Sequence, residues 1–222
     1  MNNCTDPRDP FVFFDLGNVL VHFDHDVAVR NVAGLVNRQQ DLVKETLFGS
    51  GLQNRLETGL ITSHEFADIA LRQLQSQLAT YDFLEAISAI FQPNMSILGI
   101  LRQLKHAAVP MAILSNTCEP HWQWIVKQRW PVMEEWFDFC VLSYEAQSMK
   151  PDSRIYEICE AKSGRLPAQL FFTDDRAENV AAAEQRGWKT HHFSAVPPLA
   201  QALEQWLGWP LHPQAGSPET GT

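Results

Sequence analysis

Acidic and polar residues follow three separate apolar segments of this 222-residue chain. The residues at these positions are Asp15, the pair Ser115 and Asn116, and the pair Asp174 and Asp175. Three carboxylates brought together repel one another, and at neutral pH they need a cation. Carboxylate oxygens without an accompanying set of cysteines or histidines favour magnesium over zinc. The pattern therefore predicts a magnesium site.

Lys150 and Ser115 add groups that bind anions. Lys150 lies between Met149 and Pro151, before a predicted helix, where its ammonium group can neutralise a carboxylate or an oxyanion. Ser115 offers a hydroxyl, and backbone N–H groups at a helix start beside it can bind phosphate oxygens. A metal ion, a lysine, a hydroxyl and backbone amides around a spare carboxylate are the parts that phosphoryl transfer requires. The residue types thus favour that chemistry.

The elements that must position these residues are strands alternating with helices. The predicted strands cover residues 11–14, 110–114, 139–142, 170–173 and 189–193. The predicted helices cover about residues 96–106, 119–129, 152–163, 177–186 and 198–206. This alternation predicts an α/β fold, a Rossmann-like parallel sheet with helices on both faces. Ligands of such sheets bind at the carboxyl ends of the strands, so the polar residues are expected to converge there.

The long segment after the first strand follows a different pattern, in which we recognise no strand between residues 26 and 92. Apolar residues recur at helical spacing, as at Val29 and Val32, and Thr62 or Ser63 before Glu65 predicts a helix start. We therefore predict a small all-helical cap inserted after the first strand. The predicted domains are a catalytic core of residues 11–22 and 93–208, a cap of residues 23–92, and flexible tails of residues 1–10 and 211–222.

Composition limits the partners and the location of the protein. The net charge of −9 at pH 7 argues against nucleic acid and anionic membranes, but a small phosphorylated metabolite can still bind a locally positive site. No stretch approaches the roughly 18 apolar residues of a membrane span, and residues 1–10 lack the apolar run of a secretory signal. The four cysteines have neither C-x-x-C nor zinc-type spacing, which favours reduced thiols. We expect a cytoplasmic protein, monomeric or homodimeric.

Four motifs carry a resemblance to a known family. They are Asp15-Leu16-Gly17-Asn18-Val19, Leu114-Ser115-Asn116-Thr117, Lys150-Pro151-Asp152 and Phe172-Thr173-Asp174-Asp175-Arg176-Ala177-Glu178-Asn179. In order and spacing they resemble the motifs of the haloacid dehalogenase superfamily, from Phe11 to about Leu207. The helical insert is similar to the small cap of that superfamily, and Leu56-Glu57-Thr58-Gly59-Leu60-Ile61 resembles a segment common in such caps.

The resemblance implies a nucleophile and a metal site. Asp15 would attack phosphorus and form an aspartyl-phosphate. Magnesium would be held by the carboxylates of Asp15 and Asp175 and by the backbone carbonyl of Gly17. Asp174 would orient the site or assist through water. The chain would then be a magnesium-dependent phosphatase of small phosphomonoesters.

The resemblance also implies roles for four groups around the phosphoryl position. Ser115 and the Asn116 amide would bind the phosphoryl oxygens, and Lys150 would balance their charge. Asn179, four residues after Asp175, would support the metal or Lys150.

The chain departs from the superfamily pattern at Gly17. The pattern has a second aspartate there, a general acid and base, and glycine cannot transfer a proton. Loss of a general acid costs about 100- to 10,000-fold on a poor leaving group, and less on an acidic one such as an anomeric hydroxyl. Because Asp15-Leu16-Gly17-Asn18-Val19 also resembles the first motif of bacterial α-D-glucose-1-phosphate phosphatases, the sharper prediction is a sugar-1-phosphate phosphatase. The sequence identifies no base that activates water in the second step.

Two other functions stay open. Dehalogenation of a 2-haloacid would use the same nucleophile without magnesium, so the pair Asp174 and Asp175 argues against it. A non-catalytic binding protein of the same fold would explain the missing general acid. Retention of Asp15, Lys150 and Asp175 argues against that function, because burying such charges is costly without a use for them.

Four further residues lie near the predicted site in the sequence. Whether His22, His25, Arg55 or Glu57 contacts the substrate is left open by the sequence. The histidines follow the nucleophile loop, and Arg55 and Glu57 belong to the predicted cap.

Overall fold

A parallel sheet forms the core of the computed structural model, which describes residues 9–211. The strands are β1 (Phe11–Phe14), β2 (Val21–Phe23), β3 (Phe91–Pro93), β4 (Met111–Ser115), β5 (Phe139–Leu142), β6 (Leu170–Asp174) and β7 (Lys189–His192). Five of them form one parallel sheet in the order β5-β4-β1-β6-β7, while β2 and β3 pair separately. Strand β1, which Asp15 follows, thus lies at the centre of the sheet, as the uninterrupted apolar sequence of a fully buried strand predicts.

Five helices begin and end within two residues of their predicted bounds, whereas a short sixth helix after β5 was not predicted. The helices are α1 (His25–Val36), α2 (Gln40–Lys44), α3 (Leu52–Glu57), α4 (Ser63–Gln73), α5 (Thr80–Ser88), α6 (Leu98–His106), α7 (Glu119–Lys127), α8 (Ser143–Ala146), α9 (Ser153–Ser163), α10 (Ala177–Gln185) and α11 (Val196–Leu207). A single π-helical turn, Glu45–Gly49, lies between α2 and α3. Among residues 9–211, no helix has the length and apolar character that crossing a membrane requires.

The central strand buries side chains on both of its faces. Val12 and Phe14 pack in a cluster with residues of α6 and α11, whereas Phe11 and Phe13 pack with residues of α9 and α10. Successive side chains of a strand point to opposite faces, so this division shows that helices cover both sides of the sheet. The predicted α/β architecture is confirmed.

The helices α1 to α5 lie between β2 and β3 and have an apolar cluster of their own. Its fully buried members include Val32, Phe66 and Phe83, one each from α1, α4 and α5. At the start of α4, the Thr62 hydroxyl accepts a hydrogen bond from the Glu65 backbone, and the Glu65 carboxylate accepts one from the Thr62 backbone. This reciprocal cap is the one that the sequence predicts. The separate cluster supports the proposed cap of residues 23–92.

A short antiparallel ribbon joins this helical segment to the core. Val21, His22 and Phe23 of β2 pair with Pro93, Gln92 and Phe91 of β3. The prediction of no strand up to residue 92 is wrong at this end of the segment, and β2 was not predicted either. Each strand has three residues, too few for an alternating pattern, and each forms only because the other lies opposite.

The predicted tails lie largely outside the described residues, which exclude 1–8 and 212–222. At their inner ends, Asp9 pairs with Arg165 at 2.8 Å. Leu211 is 2% exposed and packs in the apolar cluster on one face of the sheet.

Candidate active site

The carboxyl ends of β1 and β6, which are neighbours in the sheet, bring three acidic residues together. Asp15 follows β1, Asp174 ends β6, and Asp175 comes next. Each offers one oxygen atom, and these oxygens all lie within 4.8 Å of one another. Three hard oxygen donors at this spacing fit the ligand chemistry of magnesium. The convergence of these carboxylates is the arrangement that a parallel sheet predicts.

Lys150 lies between two of these carboxylates. Its Nζ atom is 2.8 Å from Asp15 Oδ1 and 2.6 Å from Asp174 Oδ2, and it also donates to the Leu114 carbonyl at 2.9 Å. Its side chain is 1% exposed. Burial lowers the pKa of Lys150, but the charges of Asp15 and Asp174 outweigh burial and raise it. The lysine is therefore held in its charged form.

The nucleophile candidate Asp15 is held from two directions. Its Oδ1 accepts hydrogen bonds from Lys150 Nζ and from the Leu16 backbone N–H at 2.7 Å. Burial raises the pKa of Asp15 to about 7, although the Lys150 ammonium acts in the opposite direction. A carboxylate in this position needs cationic neighbours in order to stay ionised at neutral pH.

Asn116 positions Lys150 through its backbone. The Asn116 Nδ2 donates to the Lys150 carbonyl at 2.9 Å, and the Asn116 Oδ1 accepts from the Lys150 N–H at 2.7 Å. This pairing across 34 residues of sequence fixes the loop that carries the lysine. Both polar atoms of the Asn116 side chain are therefore hydrogen-bonded to this loop. The contact between the Asn116 backbone N–H and the phosphoryl oxygens stays a prediction.

Ser115 is the last residue of β4 and is 2% exposed. Its hydroxyl lies 3.4 Å from the Asn116 carbonyl, so it makes only a weak local hydrogen bond. Thr117, two residues after Ser115, is fixed by Ser143, whose hydroxyl accepts from the Thr117 N–H and donates to its carbonyl, both at 2.9 Å. Sequence analysis missed Ser143, and no motif in the chain points to it.

Asp174 is completely buried, and both of its carboxylate oxygens accept hydrogen bonds. Asn179 Nδ2 lies 3.0 Å from both of its carboxylate oxygens, and the Arg176 N–H donates to Oδ1 at 2.8 Å. Lys150 also donates to Oδ2 of Asp174. Of the two roles predicted for Asp174, orienting the site and assisting through water, this geometry suits the first. Asn179 supports Lys150 through Asp174 rather than by direct contact.

Asp175 and Gly17 face the open part of the site. Asp175 is partly exposed, and its Oδ2 accepts from Asn18 Nδ2 at 2.8 Å. Gly17 has no left-handed backbone, but a Cβ atom there would come 2.8 Å from Cε1 of Phe23. The ring of Phe23 thus fills the space that a side chain at position 17 would need. Sequence analysis missed this role of Phe23, because only the turn into β2 brings the ring there.

A cavity of about 480 Å³ opens above these residues, between the sheet edge and the helical segment. Its core side includes Asp15, Gly17, Asn116, Met149, Lys150, Asp175, Arg176 and Asn179. Its other side includes Phe23, His25, Asp26, Lys44, Phe48, Gln53, Asn54 and Glu57. The volume is adequate for a small metabolite, and the polar side chains on both walls suit a hydroxylated one.

Of the four residues left open by the sequence, two line this cavity. His25 stacks on Phe48 with ring centroids 4.6 Å apart, and burial lowers its pKa. Glu57 lines the cavity from the end of α3. His22 and Arg55 are exposed and lie outside the lining.

A model of the haloacid dehalogenase-like hydrolase family matches residues 11–187. The chain belongs to this family. Membership confirms the predicted superfamily and the predicted enzyme class, a hydrolase. The matched segment runs from β1 past α10, so it includes every residue of the acidic cluster and Lys150.

Comparison with individual proteins shows how far the similarity extends. A D-ribitol-5-phosphate phosphatase of Bacteroides thetaiotaomicron is 24% identical over 191 residues, covering 81% of this chain and 89% of the relative. An (S)-2-haloacid dehalogenase of Pseudomonas fluorescens is 31% identical over 96 residues, covering 43% of this chain and 41% of the relative.

A solved structure extends the comparison to three dimensions. The crystal structure of a haloacid dehalogenase family enzyme from Bacteroides thetaiotaomicron, in complex with magnesium and inorganic phosphate, has a TM-score of 0.76 and 27% identity. The match covers 84% of this chain and 94% of that enzyme. The fold is therefore shared over most of this chain and nearly the whole of that enzyme.

Proposed function

We propose that this hydrolase is a magnesium-dependent phosphatase of a small phosphomonoester, acting through an aspartyl-phosphate on Asp15. The observation that carries the proposal is the buried contact of Asp15 with Lys150, beside Asp175 and at the floor of the 480 Å³ cavity. The similarity to a phosphatase along 89% of its length supports the reaction class. The magnesium and phosphate bound to the family enzyme described above support the cofactor.

The first chemical step uses residues fixed by the sheet. Oδ1 of Asp15 is occupied by Lys150 and the Leu16 N–H, so we assign the attack on phosphorus to Oδ2. The P–O bond to the leaving group breaks, and the Lys150 ammonium offsets the negative charge on the phosphoryl oxygens. Asp15, the Gly17 carbonyl and Asp175 would hold a magnesium ion, which would supply further charge neutralisation.

The substrate class follows from Gly17 and from the cavity wall. With no proton donor at position 17, an acidic leaving group departs most readily, which favours a sugar 1-phosphate with its anomeric oxygen. Gln53 and Asn54 line the opposite wall and offer amide groups that suit sugar hydroxyls. D-ribitol 5-phosphate, named for the Bacteroides relative, is an ester of a much less acidic alcohol, so it provides the contrasting substrate.

The test is phosphate release from a panel of esters, with magnesium and with a chelator. The panel contains an aryl phosphate, two sugar 1-phosphates, the matching 6-phosphates and D-ribitol 5-phosphate. We expect magnesium-dependent release that favours the 1-phosphates and is absent in Asp15→Asn. Asp24→Asn is the matched control, because Asp24 caps α1 away from the cluster. A preference for the 6-phosphates would contradict the proposed substrate class.

A second candidate function is 2-haloacid dehalogenation, favoured by the 31% identity with the Pseudomonas fluorescens enzyme. The acidic cluster favours the phosphatase, since displacement of a halide requires no metal. Halide release from 2-chloropropionate in the presence of a chelator would instead favour the dehalogenase over the phosphatase. Binding of a phosphate ester without turnover would instead favour a non-catalytic binding protein.

A cytoplasmic location is part of the proposal. Within residues 9–211, Cys118, Cys140 and Cys159 are all free thiols, as expected for a reducing compartment. Whether the enzyme is a monomer or a homodimer stays a prediction of the sequence alone.

A further inference from the structure

The second step of the proposed reaction needs a base. Water must attack the aspartyl-phosphate, and a positioned group that takes the proton of that water typically contributes about 100- to 10,000-fold. Gly17 has no side chain for this task, and the Phe23 ring fills the space beside it. A base must therefore reach the phosphoryl position from elsewhere on the cavity wall.

Glu57 faces the nucleophile region from the helical segment. It lines the 480 Å³ cavity together with Asp15 and Lys150. It also lines a smaller cavity of about 50 Å³ together with Gly17 and Ser115. Glu57 is thus exposed to both spaces that border the proposed phosphoryl position.

The backbone beside Glu57 is pressed onto the core. Gly59, two residues later, has a left-handed φ of 67°, and a Cβ atom there would collide with the backbone carbonyl of Tyr144 in α8. Only glycine permits this close approach. The Ser63 hydroxyl adds a second attachment by donating to Glu119 of α7 at 2.6 Å. These contacts hold the end of α3 over the sheet edge.

The carboxylate of Glu57 is also held in place. Gln53, one turn earlier in α3, donates from Nε2 to Glu57 Oε1 at 2.6 Å. This leaves Oε2 as the oxygen that can accept a proton from water. Two other carboxylates of the lining have different partners, since Asp26 pairs with Lys44 at 3.0 Å and Asp175 belongs to the acidic cluster.

From this placement we infer that Glu57 is the catalytic base that activates water for hydrolysis of the aspartyl-phosphate. The inference rests on the phosphatase function proposed above. Burial raises the pKa of Glu57, against the effects of the Gln53 hydrogen bond and the Arg176 charge, which makes its carboxylate a stronger base than an exposed one. His25 shares both cavities, but its ring packs against Phe23 and Phe48.

The step balances as follows. Glu57 takes a proton from water while the water oxygen bonds to phosphorus and the P–O bond to Asp15 breaks. This regenerates the Asp15 carboxylate and releases inorganic phosphate. The proton on Glu57 then passes to solvent, where it neutralises the hydroxide left when the departing alkoxide took a proton from water in the first step.

Quenched-flow kinetics of Glu57→Gln with p-nitrophenyl phosphate and magnesium tests the inference. The glutamine keeps the shape and can accept the Gln53 hydrogen bond, but it cannot take a proton. Because nitrophenolate leaves without an acid, we expect a burst of about one nitrophenolate per enzyme, followed by turnover at least 100-fold slower than wild type. Phosphoenzyme on Asp15 should accumulate in the acid-quenched sample, as measured by mass spectrometry.

Two variants make the result specific. Glu85→Gln removes another carboxylate of the helical segment, one that accepts from Trp124 of the core, and it should give no burst. His25→Gln changes the neighbouring wall and should accumulate no phosphoenzyme. A burst in His25→Gln instead, or equal loss of nitrophenolate and phosphate release in Glu57→Gln without phosphoenzyme, would overturn the assignment. Wild-type enzyme inactive on every ester would overturn the phosphatase function, and the inference with it.

Discussion

Replacing Lys150 with methionine removes the cation that two buried carboxylates share. The Nζ atom contacts Asp15 at 2.8 Å, Asp174 at 2.6 Å and the Leu114 carbonyl at 2.9 Å. Asp174 keeps its hydrogen bonds from Asn179 Nδ2 and from the Arg176 N–H, whereas Asp15 keeps only the hydrogen bond from the Leu16 N–H. Methionine has a similar length and no charge, so the substitution tests electrostatics more than packing.

The expected loss of stability is large. Removing one partner of a buried ion pair costs about 3–5 kcal/mol, because the remaining charge stays buried without compensation. Asp15 is 6% exposed and Asp174 is not exposed at all, so solvent offers little relief. We expect Lys150→Met to lower the free energy of unfolding by about 3–5 kcal/mol at pH 8. The loss should shrink at pH 5.5, where the unpaired carboxyls can take up protons.

Urea unfolding in a chelator, followed by circular dichroism, measures this loss without interference from magnesium. The matched control is Lys162→Met, an exposed lysine, which should stay within about 0.5 kcal/mol of wild type. The double variant Lys150→Met/Asp174→Asn should recover at least about 1 kcal/mol, because one uncompensated charge is gone. A Lys150→Met protein within about 1 kcal/mol of wild type, or no recovery in the double variant, would refute the reasoning.

Two further predictions concern Gly17 and His121. Gly17→Asp alone should gain little on any ester, because its Cβ meets Phe23 at 2.8 Å, whereas Gly17→Asp/Phe23→Ala should improve kcat for 6-phosphates over 1-phosphates by at least about 10-fold. Equal gains on both ester classes would contradict the role given to Gly17. Burial lowers the pKa of His121 from 6.5 to about 4, so below pH 6.5 the unfolded chain binds a proton that the folded chain excludes. Stability should therefore fall by about 3 kcal/mol between pH 6.5 and 4, and His121→Gln should flatten this part of the urea-midpoint profile while exposed His64→Gln leaves it unchanged.

Much of the candidate site could be predicted because it depends on local sequence and on one rule of sheet geometry. An unbroken apolar run such as Phe11–Phe14 predicts a buried parallel strand, and polar residues at the carboxyl ends of such strands must meet at one edge. Asp15, Asp174 and Asp175 meet there, and the Thr62 cap forms where its pattern indicates.

The rest could not be predicted because it depends on contacts between distant segments. Ser143 fixes Thr117 from 26 residues away, and nothing in either local sequence requires that contact. From the sequence alone, the Asn116 side chain could equally cap a helix or bind a ligand. Its actual partner is the loop that carries Lys150, which is brought beside it only by the fold. The position of Phe23 against Gly17 follows from the pairing of two three-residue strands, which is too short a pattern to recognise.

The β2–β3 ribbon means that the chain leaves the core and returns to it at almost the same point. Asn94 secures the return by donating from Nδ2 to the Val19 carbonyl at 2.8 Å and from its backbone N–H to the Leu20 carbonyl at 2.9 Å. A two-residue hairpin turn between Phe23 and Phe91 could close this ribbon without rerouting any strand of the main sheet. Exchanging the helical segment would therefore leave the acidic cluster and Lys150 in place on the sheet, but it would replace Glu57 together with the rest of the cavity wall, so a new substrate and a new base would be inherited as one unit.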